Sequence, residues 1–104
     1  MDRIEKLQQF LLQNPTDSFL KHALALEYIK LQQDEKALNL FESIIAADEN
    51  YVGTYYHLGN LLFKLKNTQK AIAVFEKGMQ MAKLLKDGHA YNELQAALEA
   101  IQDI

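Results

Sequence analysis

The chain of 104 residues is 49% hydrophobic and has a net charge of −3, so it has room for one domain with its own core. It contains no cysteine and therefore cannot form disulfide bonds or thiolate zinc sites. Its positive and negative charges are interspersed without a stripe of lysine and arginine, which argues against nucleic-acid binding. No apolar run approaches the roughly 20 residues that span a bilayer, and the charged N-terminal sequence is unlike a signal peptide, so we expect a cytoplasmic protein that does not enter the membrane.

Apolar residues recur at helical spacing in six segments that are separated by short polar turns. The first predicted helix spans 2–13 and ends at Asn14-Pro15, because proline disfavours a helical conformation in the residue before it. The other five helices are predicted at 18–31, 35–48, 52–65, 69–86 and 89–102. Side chains with an oxygen suited to capping a helix N-terminus stand at Asp34, Asn50, Thr68 and Asp87.

The second predicted helix, 18–31, is apolar on two faces. One stripe consists of Leu20, Leu24, Tyr28 and Leu31, and the other of Phe19, Leu26 and Ile29. A helix with two apolar faces is either packed between neighbours or offers one face to a partner.

The chain contains an internal repeat with a period of 34 residues. Residues 18–51 and 52–85 share seven identities at this spacing, whereas chance would give about two. Ala37 matches Ala71, and Phe41 matches Phe75. A helical period of this length indicates helix–turn–helix units that stack on one another.

The repeated motif resembles that of the tetratricopeptide repeat (TPR) family. Residues 55–78 read Tyr55-x2-Leu58-Gly59-x2-Leu62 and then Ala71-x3-Phe75, close to the family pattern W-x2-L-G-x2-Y…A-x3-F. Residues 21–44 repeat the pattern with Leu24-Ala25-x2-Tyr28 and Ala37-x3-Phe41. Small residues at these positions let the two helices of a hairpin approach closely, and the phenylalanines fill the space beside them. Gln32 and Lys66 stand where the family usually has a turn glycine.

The resemblance implies an all-α fold. Antiparallel helix hairpins would stack as a short right-handed α-solenoid of about six helices in a single domain, 1–104. Its parts would be a half-repeat or N-terminal capping helix at 1–17, full repeats at 18–51 and 52–85, and a C-terminal capping helix at 86–104.

The resemblance also implies a protein–protein interaction module. In such proteins the first helix of each hairpin lines a concave groove, where ligands lie as extended peptides or helices. The groove residues carried over from the family are Phe19, His22, Leu26, Ile29, Lys30, Tyr56, His57, Asn60, Phe63, Lys64, His89 and Asn92. Their largely apolar and aromatic character favours an aliphatic peptide or an amphipathic helix of another protein.

The best-known groove of the family is a carboxylate clamp for acidic C-terminal tails, and this chain departs from it. Asn60 matches the clamp, but Tyr56 stands where a lysine is needed and Glu93 where a positive charge is expected. Charge-assisted recognition of a carboxylate needs those cations, so we do not expect a clamp.

The histidines and serines offer no pattern of a metal site or an enzyme. His22, His57 and His89 lie on three different helices without the spacing of a zinc motif, although histidines on one face could sense pH. Ser18 and His22 are four residues apart, but no orienting acid or oxyanion device accompanies them. We therefore expect no catalysis, no cofactor and no metal.

An alternative interpretation of the sequence is that the chain is a structural protein, which forms a homodimer by pairing the open ends of its solenoid. The outer faces of the first and last helices are polar, which suits capped ends and favours a monomer. Those polar residues are Asp2, Glu5, Gln8, Gln9 and Gln13 at one end, and Gln95, Glu99, Gln102 and Asp103 at the other.

Overall fold

The computed structural model describes residues 2–102 of the chain. Within this range it contains no strand, and its helices are α1 (Arg3–Gln13), α2 (Ser18–Lys30), α3 (Asp34–Ala47), α4 (Gly53–Lys64), α5 (Thr68–Leu84) and α6 (Gly88–Gln102). Every helix begins and ends within two residues of its predicted bounds, so the all-α prediction of six helices is confirmed. Met1 and Ile104, which the predicted domain includes, and Asp103, expected to cap the last helix, lie outside the described residues.

None of the helices in the range 2–102 is long and apolar enough to cross a membrane.

The chain divides into two compact units, Met1–Asp48 and Glu49–Ile104, each holding three helices. In the first unit, α2 packs against both α1 and α3. In the second, α5 packs against both α4 and α6, which also contact each other. Each unit is thus built on one central helix that two neighbours cover.

Small residues bring the helices of each unit into close contact, as the sequence predicts. A Cβ atom added to Gly59 of α4 would lie 2.2 Å from Cε1 of Phe75 on α5. A Cβ at Gly78 of α5 would lie 2.6 Å from Cβ of Tyr55 and 3.0 Å from Cδ1 of Leu94. Since real Cβ atoms cannot approach so closely, only glycine permits these helix spacings.

The first unit uses the equivalent positions in the same way. Ala25 of α2 and Ala37 of α3 are fully buried, and so are Phe41 and Ile44. These four residues form the centre of the hairpin between α2 and α3, whose two helices have the same spacing of small and large side chains as α4 and α5.

Four helices begin at a side chain that accepts a hydrogen bond from the backbone N–H three residues further on. These caps are Asp2 (2.8 Å), Asp17 (3.0 Å), Asn67 (3.4 Å) and Asp87 (3.0 Å). Each bond satisfies a backbone donor that the helix itself leaves without an acceptor. The prediction of Asp87 is therefore confirmed.

The other three predicted caps are wrong. Asp34 and Thr68 are already the first residues of α3 and α5, so the capping position falls one residue earlier. Asn50 lies too far before α4, which follows Val52. Val52 has no side-chain oxygen, and its backbone already has helical angles of φ −61° and ψ −35°.

Three turns place a residue other than glycine in the left-handed region of the backbone. The φ angles are 59° at Gln32, 67° at Lys66 and 58° at Lys86. In each turn the next residue donates its N–H to a carbonyl five residues before it, as in Asn67 N to Leu62 O at 2.9 Å. This bond closes the helix end but requires the left-handed residue between helix and turn. The turns therefore keep the family geometry although the usual glycine is replaced.

We expect Lys66→Gly to raise the free energy of unfolding by roughly 0.5–1 kcal/mol, because a left-handed conformation strains residues with a Cβ atom. Ala73→Gly is the control, since it places glycine at an exposed position within α5. That variant should lose about 1 kcal/mol. Urea denaturation measures both, and a loss of stability in Lys66→Gly would contradict the strain at this turn.

Candidate functional site

In the first unit, the candidate site residues lie together on one side of α2. We call this set, consisting of Phe19, His22, Leu26, Ile29 and Lys30, the α2 face. Phe19 is 67% exposed and Lys30 is also exposed, whereas the other three are partly buried. α2 already contributes four buried residues to the core from its remaining surface. The α2 face therefore presents apolar side chains that the core does not enclose.

Two members of the α2 face are held by neighbouring residues. The ring of His22 packs at 5.6 Å from the ring of the buried Phe41. The Lys30 ammonium lies 3.2 Å from the Glu27 carboxylate, which also accepts a contact of 2.7 Å from Nε of Arg3 on α1. Glu27 thus binds two cations at once, so Lys30 and Arg3 share a single carboxylate within the unit.

In the second unit, the candidate residues of two adjacent helices can be described together. We define the α4–α6 face as Tyr56, His57, Asn60, Phe63, Lys64, His89, Asn92 and Glu93, adding Glu93 to the predicted set because it acts on His57. Tyr56, His57 and Phe63 are partly buried, and the others are exposed. The contacts between α4 and α6 bring their two contributions into one surface.

His57 lies at the centre of the α4–α6 face. Burial lowers the pKa of its imidazole below the ordinary value, while the carboxylate of Glu93 opposes this shift by raising the pKa. The ring also meets that of Tyr56 edge to face, with centroids 5.4 Å apart. His57 is therefore predominantly uncharged at neutral pH, and the middle of the face is aromatic with a polar edge.

The aromatic residues of the α4–α6 face lie outside the fully buried core. The rest of α4 supplies six buried residues, among them Tyr55, Leu58 and Leu62, to the contacts with the other helices. Tyr56 and Phe63 lie on the opposite side of the helix, where their rings remain partly open to solvent. A helix with its core-facing surface already filled has this second aromatic surface available for contact with another molecule.

The three histidines lie on three different helices. His22 lies in the first unit, and His57 and His89 lie on different helices of the second. Among residues 2–102 no group of three histidine, cysteine, aspartate or glutamate side chains could hold a metal ion.

Both serines have structural hydrogen bonds. The Ser18 hydroxyl donates to the carboxylate of Asp48 at 3.1 Å, which ties the start of α2 to the end of α3. The Ser43 hydroxyl donates to the carbonyl oxygen of Leu40 at 2.8 Å. Both hydroxyl groups thus help to hold helices of the first unit in place.

A cleft of about 580 Å³ in the first unit was not predicted from the sequence. We call it the α1–α3 cleft, and its walls include Glu5, Leu11, Leu12, Pro15, Lys21 and Leu40. None of the candidate groove residues contributes to it. The signal available in the sequence was Leu12, an apolar residue of α1 on a different side of the helix from the buried Leu7.

Comparison with known proteins identifies relatives of the chain. Residues 3–78 match the family model described as anaphase-promoting complex, cyclosome, subunit 3. No curated protein matches the chain. A tetratricopeptide repeat domain protein from Salinibacter ruber is 38% identical, with a TM-score of 0.82 and coverage of 85% of this chain and 98% of that one.

Two further solved structures share the fold at lower identity. The TPR2B domain of yeast Sti1, in complex with pHsp70, is 15% identical over 96% of this chain and 80% of that one, with a TM-score of 0.89. The Sgt2 TPR domain from Aspergillus fumigatus is 23% identical over 96% of this chain and 64% of that one, with a TM-score of 0.82. At these identities the likeness establishes the arrangement of helices alone.

Proposed function

Because the chain belongs to the tetratricopeptide repeat family, we propose that it is a non-catalytic module that binds a peptide or an amphipathic helix of another protein. Its residues 3–78 match the model named for subunit 3 of the anaphase-promoting complex. The binding surfaces are the α4–α6 face and the α2 face. The concave groove that the sequence predicts remains part of this proposal.

The observation that carries the proposal is the second aromatic surface of α4. Tyr56, His57 and Phe63 are partly exposed on a helix that already buries six residues elsewhere. Burying apolar side chains of this size against a partner contributes about 1.5–3 kcal/mol for each fully buried side chain. A related arrangement of helices, the TPR2B domain of yeast Sti1, is found in a complex with pHsp70, which supports a partner-binding role.

The charges on these surfaces favour an apolar or amphipathic partner over an acidic tail. Glu93 places a carboxylate beside His57, and burial lowers the pKa of that histidine. Lys30 is paired with Glu27. Each surface includes a single lysine, Lys30 or Lys64, and so lacks the cluster of cations that a carboxylate clamp needs, whereas aliphatic or aromatic side chains would meet Tyr56 and Phe63.

We expect a dissociation constant near 1 μM, equivalent to about −8 kcal/mol, because the cost of association offsets much of the gain from burial. The Tyr56→Ala variant should bind roughly 10- to 100-fold more weakly, since aromatic residues contribute strongly at interfaces. Isothermal titration calorimetry with an amphipathic helical peptide, selected from a library for binding to this chain, measures the effect.

Tyr91→Ala is the matched control. Tyr91 is also a partly buried tyrosine of the second unit, but it lies beside Lys83 and Met79, on the side of α6 that faces α5. Its removal should leave the affinity within about threefold of wild type, or within roughly 0.6 kcal/mol. Weaker binding in Tyr91→Ala together with unchanged binding in Tyr56→Ala would place the partner on the other side of α6 and contradict the proposal.

A further inference from the structure

The α1–α3 cleft shares no residue with the surfaces of the proposed function and has features of a contact between identical copies. Its walls are mainly apolar, formed by Leu11 and Leu12 of α1, by Pro15 after α1, and by Leu40 of α3. Leu12 is at the same time 82% exposed. The surface therefore combines an apolar recess with a protruding leucine beside it.

The charges around the α1–α3 cleft balance each other. Glu5 of α1 and Lys21 of α2 both line it, and its remaining polar lining residues are the uncharged Gln8 and Gln9. A surface that selects an acidic or a basic partner carries an excess of one sign. This surface instead carries one charge of each sign, so two identical copies can place Glu5 of each opposite Lys21 of the other.

Self-complementarity is the requirement for a two-fold symmetric contact, in which the same patch of both copies meets and every contact occurs twice. We infer that the chain forms a homodimer through the α1–α3 cleft, with Leu12 of each copy inserted into the apolar recess of the other. Glu5 of each copy then faces Lys21 of its partner. The contact includes Glu5, Gln8 and Gln9 of the N-terminal end considered from the sequence, but it is centred on Leu12 and the apolar recess beside it.

The oligomeric state tests this inference by sedimentation velocity between about 1 μM and about 1 mM, a range that brackets the dissociation constants of weak dimers. The wild-type chain should change from monomer to dimer with rising concentration. Leu12→Asp should raise the dimer dissociation constant at least about 100-fold, because each copy loses a central apolar contact and the change occurs twice.

Leu84→Asp is the matched control for the leucine. Leu84 is a similarly exposed residue, at 74%, but it belongs to α5 of the second unit. This variant should dimerise like the wild type. A wild-type chain that remains monomeric over the whole range would overturn the inference, and so would a dimer that Leu84→Asp disrupts but Leu12→Asp does not.

Charge reversal gives a test that a loss of folding cannot imitate. Glu5→Lys alone places two lysines opposite each other across the contact, and Lys21→Glu alone places two glutamates opposite each other. Each variant should therefore dimerise about tenfold more weakly, because two repelling pairs replace two attracting pairs.

Mixing the two single variants should restore dimerisation. One copy then carries lysine at both positions and the other carries glutamate at both, so that opposite charges face each other twice across the contact. Recovery in the mixture to within about threefold of the wild-type dissociation constant supports the inference. Absence of recovery, with both variants helical by circular dichroism, would show that these residues do not face each other across the dimer. Peptide binding by the α4–α6 face is measured separately and does not depend on this result.

Discussion

Replacement of Phe75 by alanine is expected to lower the free energy of unfolding by roughly 3–5 kcal/mol. Phe75 is fully buried, and its ring lies where a Cβ atom at Gly59 would otherwise stand. Its removal leaves a cavity between α4 and α5 that the rigid helix backbones cannot close. Because a domain is stabilised by only about 5–15 kcal/mol in total, the variant should unfold at a much lower urea concentration.

Phe19→Ala is the control for the loss of a phenylalanine. Phe19 is 67% exposed, so the same truncation should change stability by no more than about 0.5 kcal/mol. Urea denaturation followed by circular dichroism measures both variants. If Phe75→Ala lost less than about 1 kcal/mol, the residue would not be the wedge between the helices that the packing indicates.

The second large effect is expected at Gly59. An added Cβ atom would lie 2.2 Å from Cε1 of Phe75 and 2.6 Å from Cδ1. The ring is buried and cannot swing out into solvent, so α4 and α5 must separate or the ring must leave its preferred rotamer. Gly59→Ala should therefore cost roughly 1–3 kcal/mol although alanine favours helices more than glycine does.

Gly53→Ala provides the comparison, because a Cβ atom there meets nothing within 4 Å. This variant should be neutral or gain up to about 1 kcal/mol. The Gly59→Ala, Phe75→Ala double variant should lose at least about 0.5 kcal/mol less than the sum of the two single losses, since the smaller side chain leaves room for the new methyl group. Additive losses, or a Gly59→Ala variant as stable as the wild type, would contradict the close contact.

The helices and their hairpin packing could be predicted because a single period determines both. The 34-residue repeat aligns Ala37 with Ala71 and Phe41 with Phe75, and all four are fully buried. The capping residues were harder to predict, because a shift of one residue in the start of a helix exchanges Thr68 for Asn67 as the capping side chain. The left-handed backbone at Gln32, Lys66 and Lys86 could not be inferred from side chains that disfavour it, because the bonds that close the helix ends impose that conformation.

The candidate site was predictable only in part. Helical spacing correctly places Tyr56, His57 and Phe63 on the side of α4 away from its buried residues. It does not reveal that Lys30 is paired with Glu27, nor that Arg3 of another helix shares the same carboxylate. The α1–α3 cleft also depends on contacts between segments that are distant in sequence, and these follow from packing rather than from any local pattern.

The most direct test of the proposed partner-binding role is a ¹H–¹⁵N correlation NMR titration of the chain with the selected amphipathic peptide. We expect the largest shifts at the amides of the α4–α6 face and the α2 face, led by Tyr56, His57 and Phe63. The outer surface of α5, around Ala73 and Gln80, should remain unchanged. Shifts confined to that outer surface or to the α1–α3 cleft, with the α4–α6 face unaffected, would contradict the proposed function.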